Sequence, residues 1–155
     1  MSTVTFTVPG LLATGGIKYT KQGFSYTPKN VAEWRGVVRV FAKEACREPL
    51  AGPIAVTITV HLLKPESWPK KNTPKFPWQW APYKKPDLDN VSKPILDACN
   101  GVAWLDDAQI VDLRLVKSWW HRPEVMVEVV QVQEHYRSGN GSAAPVIAME
   151  EAAGD

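Results

Sequence analysis

The chain predicts an α+β domain: a small mixed β-sheet of about four strands with two main helices. Three observations lead there. Four runs read as strands, the clearest of them rich in β-branched residues and alternating with period two. Two segments place apolar residues at helical spacing. Proline- and glycine-rich stretches separate them and exclude regular structure between. The resulting order is β-α-β-loop-α-β-β, with no internal repeat.

Each element has its own signal. "TVTFTVP" (residues 3–9) alternates and then meets Pro9-Gly10, so it reads as a strand. Residues 10–27 are rich in Gly, Thr and Lys and read as a loop, with a small hairpin around Gln22-Gly23. The next segment reads as a helix, with Thr27 as N-cap and Pro28 at the first helical position. Val31, Trp34, Val38, Phe41, Ala42 and Ala45 form its apolar face. "PIAVTITVHLL" (53–63) is the clearest strand in the chain.

Residues 64–86 hold six prolines, six lysines, three tryptophans and a single acid. That many prolines exclude a helix or a central strand, and a loop of this length inside a domain is usually functional or mobile. Val91, Ile95, Leu96, Ala98 and Cys99 then mark a second helix that Asn100-Gly101 ends. Pro94 belongs in a first turn, so this helix is expected to begin near Asn90. Residues 108–120 and 124–133 read as two strands joined as a hairpin through His121-Arg122-Pro123. Residues 137–155 are small and polar and read as a disordered tail, which leaves residues 1–136 as one domain.

Composition narrows the class. An apolar fraction of 45% and a charged fraction of 22% fit an ordinary globular protein. No run approaches the roughly 18–20 apolar residues of a membrane span. The N-terminus shows neither a basic nor an apolar leader region, so a cytoplasmic protein is expected. Cys46 and Cys99 sit in helical segments and read as buried, reduced thiols. Two cysteines and three scattered histidines give no zinc-ligand spacing. The net charge is +2, and the acidic tail leaves +4 on residues 1–136.

Within residues 84–113 stand six aspartates: Asp87, Asp89, Asp97, Asp106, Asp107 and Asp112. Asp87 and Asp89 are two apart after Pro86, and in extended chain they project to one side. Like charges so placed repel unless a cation lies between them, and oxygen-only ligands suit Mg²⁺ or Mn²⁺. Asp106 or Asp107, at the start of the following strand, is expected to close on that pair through a strand-helix-strand path. Lys93 lies four residues after Asp89, on the same helix face, where a cation can stabilise phosphoryl charge. Asp97 is expected to pair with Lys93, and Asp112 to face solvent. Lys70, Lys71, Lys75, Lys84 and Lys85 supply phosphate-neutralising charge, while Trp78 and Trp80, with Trp68 and Tyr83, offer faces for stacking on bases. Trp104 reads as core. A basic loop leading into a cation site describes a phosphodiesterase.

"KPDLDNVSKPILDACNGVAWLDDAQIVDLRLVK" resembles the signature of the RusA-like Holliday junction resolvases, crossover-junction endodeoxyribonucleases common in bacteriophages and prophages. The match is near-complete over residues 84–117 and weaker over about 1–135. The resemblance implies that Asp87, Asp89 and Asp107 are metal-binding aspartates, that Lys93 is the catalytic lysine, and that Asn90 and Asp106 support them. It also implies a homodimer with a mixed α/β fold, and Mg²⁺ or Mn²⁺ as cofactor. The expected reaction is paired nicks across a four-way junction that leave ligatable 5′-phosphate ends, in recombination and repair. Two features depart from the pattern: a longer proline-rich stretch, and Pro94 directly after Lys93. They leave open a flap or branch nuclease, or a branched-DNA-binding protein without turnover. A Mg²⁺-dependent phosphatase would not explain the Trp/Lys loop, and no P-loop is present.

Overall fold

A computed structural model describes residues 2–10, 18–19, 25–26, 29–65 and 81–132. Lys70, Lys71, Lys75, Trp68, Trp78 and Trp80, the expected N-terminal cap at Thr27-Pro28, the turn at Gln22-Gly23 and the expected tail all lie outside the described residues.

The elements are β1 (Thr3–Pro9), β2 (Lys18–Tyr19), β3 (Ser25–Tyr26), α1 (Lys29–Ala45), β4 (Ile54–Leu63), α2 (Leu88–Cys99), β5 (Ile110–Trp120) and β6 (Glu124–Gln131). A single 3-10 turn, Asp107–Gln109, leads into β5. The main sheet has the order β1-β6-β4-β5, and β2 and β3 pair separately as an antiparallel couple. The expected α+β class, with four main strands and two helices, is therefore what the chain forms.

Period-two alternation decides which face is buried. Ile54, Val56, Ile58 and Val60 of β4 turn inward beside Val125, Val127 and Val129 of β6 and Phe6 and Val8 of β1. The helices close over this face with Trp34, Val38 and Ala42 of α1 and Val91, Ile95, Ala98 and Cys99 of α2. Each fully buried Val or Ile contributes roughly 1.5–3 kcal/mol. Trp104, expected in the core, is fully buried.

The last two strands depart from the expected hairpin. β5 pairs in parallel with β4, whereas β6 pairs antiparallel with β4 on its other side and with β1. β6 buries three valines completely and belongs in the middle of the sheet; β5 buries no side chain fully and can occupy an edge. Residues 121–123 therefore carry the chain across the C-terminal end of β4. The Lys64 N–H donates to the Trp120 carbonyl and the Gly10 N–H to the Pro123 carbonyl, each at 3.0 Å.

That crossover is pinned by a buried polar cluster. His61 Nδ1 lies 3.0 Å from Glu124 Oε1, Arg122 Nε donates to Glu124 Oε2 at 2.8 Å, and the Trp120 ring stacks on His61 at 4.8 Å. The hydrogen bond from His61, and then that from Arg122, hold the Glu124 carboxyl below the usual glutamate range. A carboxyl with a lowered folded-state pKa contributes stability that is complete above its unfolded value, about 4.3, and lost as pH falls through the lower folded one. Glu124→Gln should therefore lower stability at neutral pH and make it less dependent on pH in the acid range. Denaturant midpoints at pH 7 and pH 3 check this: the gap between wild type and variant should narrow at pH 3.

Candidate functional site

The start of α2 gathers the first group of candidate residues. Asp87 is the N-cap, with φ −76° and ψ 137°. An N-cap aspartate usually accepts from the first-turn amides, but this one makes no capping hydrogen bond. Its carboxylate instead takes the Lys85 ammonium at 2.5 Å. Asp89 stands exposed in the first turn, where the helix dipole favours an anion. Asn90 is half-buried, and Lys93, Lys84 and Lys85 are exposed. The site is thus an open acidic helix start bordered by lysines.

Local geometry here differs from the expectation in two ways. The helix begins at Leu88, so Asp87 and Asp89 do not share an extended segment, and the argument for same-side projection does not carry over. The earlier start also puts Pro94 inside the helix and Lys93 in its second turn. Proline has no N–H, so the Asn90 carbonyl lacks its helical donor. Asp97 pairs with Arg35 of α1 at 2.6 Å and not with Lys93; the clamp joins the two helices across 62 positions of sequence.

Lys117 holds this end of the site in place. Its Nζ donates to the carbonyls of Lys84 at 2.8 Å and Pro86 at 3.0 Å, fastening the segment before α2 to the C-terminal half of β5. The available signal was a lysine on the same face of the strand as Leu113, Leu115 and Trp119, a period-two position otherwise apolar.

The second group lies at the opposite end. The Asp106 carboxylate accepts from the Ala108 N–H at 2.9 Å and caps the 3-10 turn. Gln109 closes the same turn: its Oε1 accepts from the Leu105 and Asp106 amides, and its Nε2 donates to the Leu50 and Gly52 carbonyls ahead of β4. Asp107 Oδ1 accepts from Trp104 Nε1 at 2.9 Å, and Asn100 Oδ1 lies at the same distance from that nitrogen. A completely buried indole thus orients Asp107. Behind it, burial pushes the Cys99 thiol up to about 12, and Cys46 is raised for the same reason. Both are free and buried, as expected.

The two groups are far apart. Asp87 and Asn100 cap opposite ends of α2, and at 1.5 Å per residue that is about 20 Å along the axis. The sheet gives the same scale: Ile110 and Lys117, which mark the two ends on β5, are separated by about 23 Å at 3.3 Å per residue. Among the described residues, no three His, Cys, Asp or Glu side chains converge so as to hold a metal ion. The strand-helix-strand path therefore does not bring Asp106 or Asp107 back to Asp87 and Asp89. Because β4 and β5 are parallel, α2 must return the chain along the full length of the sheet, and its ends serve opposite edges. The candidate side chains offer only oxygen, which would suit a hard divalent cation, and within one chain they stand as two separate groups.

None of the described helices is long and apolar enough to cross a membrane. A Bacillus subtilis (strain 168) protein described as uncharacterized protein YqaN is 33% identical over 86 residues, which are 54% of this chain and 61% of that protein. The alignment thus spans about three fifths of that relative's length. The family model for endodeoxyribonuclease RusA matches residues 13–130, a span that holds both groups of candidate residues and all of the main sheet except β1 and the last residue of β6. The chain belongs to the RusA endodeoxyribonuclease family.

Proposed function

We propose that this protein is a divalent-metal-dependent endonuclease that resolves Holliday junctions, or closely related branched DNA, by paired symmetric nicks in recombination and repair. Mg²⁺ is the expected cofactor, with Mn²⁺ able to take its place. The observation that carries the reading is the α2 start: two carboxylates, one of them turned from the helix amides to Lys85, set among exposed Lys84, Lys85 and Lys93. Lysines around an acidic site draw in a phosphate backbone that carboxylates alone would repel.

The separation of the two carboxylate groups favours a homodimer in which each site is shared. Asp87 and Asp89 of one chain and Asp107 of the other would then hold the cation. A two-fold axis relates the two sites, as two symmetric cuts require. A cation held there would polarise the scissile phosphate and lower the pKa of an attacking water. The chain's own residues do the rest. Lys93, one turn after Asp89, offers an ammonium to the developing phosphoryl charge. Trp104 fixes the Asp107 rotamer through one carboxylate oxygen, and among the described residues the other has no hydrogen-bond partner. Lys117 holds the Lys84–Pro86 backbone so that the basic side chains and Asp87 keep their places.

Cleavage of a synthetic four-way junction, compared with linear duplex of the same sequence, tests the function. The expected result is junction cutting in Mg²⁺ or Mn²⁺, none in EDTA, and little on the duplex. Cutting that persists in EDTA would sink the metal-dependent reading. Metal-dependent binding without cutting would reduce the protein to a branched-DNA binder, and preferential cutting of flaps would reassign its substrate.

A further inference from the structure

The outer side of α2 carries charge at three successive turns. Asp89, Lys93 and Asp97 stand four residues apart and so share one stripe of the helix. Lys93 therefore has a carboxylate one turn before it and another one turn after it. Asp89 is the one proposed above to face a cation. Asp97 is the one placed to capture the Lys93 ammonium. Yet Lys93 is exposed, and among the described residues it has no hydrogen bond or ion pair. Asp97 turns instead to α1, where Arg35 Nη2 donates to its Oδ2 at 2.6 Å.

That ion pair does little for the fold. Its two side chains are 30% and 29% exposed, and pairs so open to water are worth little. Arg35 Nε is meanwhile buried and finds no acceptor among the described residues. A buried donor without a partner is costly, so the placement of this guanidinium is not explained by stability. Its clearest effect is to occupy Asp97.

We infer that Arg35 is a positioning residue for the cleavage site: by holding Asp97, it keeps the Lys93 ammonium uncompensated and available to a phosphate. The inference rests on the role proposed above for Lys93. Without Arg35, Asp97 would have Lys93 as its neighbour one turn back, with Cβ atoms about 5–6 Å apart. A carboxylate that close offsets the field that the ammonium presents to developing phosphoryl charge. Arg35 acts from 62 positions away in sequence, so the charge state of the α2 stripe depends on α1 being packed beside it.

The test uses the full chain on a four-way junction with Mg²⁺. Arg35→Met keeps the apolar stem and removes the charge. Its single-turnover cleavage should fall about three- to tenfold, the effect of one added charge at this distance near a protein surface. Junction affinity should change less than the cleavage rate. Asp97→Asn added to Arg35→Met should bring cleavage back to within about twofold of wild type, because the two positions act as one coupled pair. Arg35→Lys, which keeps the charge, should also cut well. A double variant as slow as Arg35→Met would mean that the pair only clamps the helices, and would overturn the inference. Nuclear magnetic resonance of isotope-labelled methyl groups placed on the lysine amines reads the same contact without turnover. The Lys93 signal should move in Arg35→Met and return in the double variant; a signal that stays in place would overturn the inference even if cleavage fell. Undiminished cutting by Lys93→Ala would remove that lysine from the chemistry and this role with it. Wild type that cuts no branched DNA would sink the endonuclease reading, and the Lys93 signal would still decide whether Arg35 holds Asp97 away.

Discussion

Asp89→Asn should abolish junction cleavage, by at least about 100-fold, while junction binding in the absence of cutting stays within about threefold. Asparagine keeps the shape of the side chain and removes its charge, and the charge is what a cation requires. Asp89 is exposed in the first turn of α2, and no side-chain partner is found among the described residues. The fold should therefore not respond, since such surface changes usually stay within about 0.5 kcal/mol. Parallel measurement of thermal midpoint, junction affinity and single-turnover cleavage separates these effects. Undiminished cutting by the variant would remove Asp89 from the metal site. Asp107→Asn should behave alike in cleavage, and its amide oxygen can still accept from Trp104.

Trp104→Ala carries the largest expected loss of stability. The indole is fully buried between the end of α2 and the start of β5. Removing it leaves a cavity and two acceptors, Asn100 Oδ1 and Asp107 Oδ1, without their donor. Large-to-small changes at aromatic core positions cost about 3–5 kcal/mol, which at this size lowers the midpoint by roughly 6–20 °C. Trp104→Phe separates packing from positioning. It keeps most of the buried surface but drops the N–H that orients Asp107, so it should lose less stability than the alanine variant and still cut poorly. A phenylalanine variant with wild-type cleavage would show that the indole N–H does not position the site.

Much of the fold was legible because it rests on local periodicity. The four main strands and two helices follow from alternation in β1, β4, β5 and β6, the apolar face of α1, and the Asn100-Gly101 stop, where Gly101 has φ 72°. Strand pairing was not legible. β5 and β6 are close in sequence and both alternate, and nothing local says that β6 inserts between β1 and β4 while β5 takes the far edge. The start of α2 was misplaced because Pro94 argues for a first-turn position, yet the helix tolerates it seven residues in. The acidic motifs announced themselves through spacing and neighbours. Their placement at opposite ends of the domain depends on the direction of α2 relative to a parallel strand pair, which is a property of the whole sheet. Lys117, Gln109 and the Arg35–Asp97 clamp were missed because their partners lie 31 to 62 positions away in sequence.

The shared site is the central claim, and mixing two inactive variants tests it most directly. Asp89→Asn and Asp107→Asn, each dead alone, are co-refolded with distinguishable tags so that mixed dimers can be isolated. In a mixed dimer, one site collects both defects and the other collects none. The isolated mixed dimer should regain metal-dependent cutting at one site and nick one strand of the junction where wild type nicks two. A mixed dimer as inactive as its parents would contradict the account, because it would mean that Asp87, Asp89 and Asp107 serve their site from within a single chain.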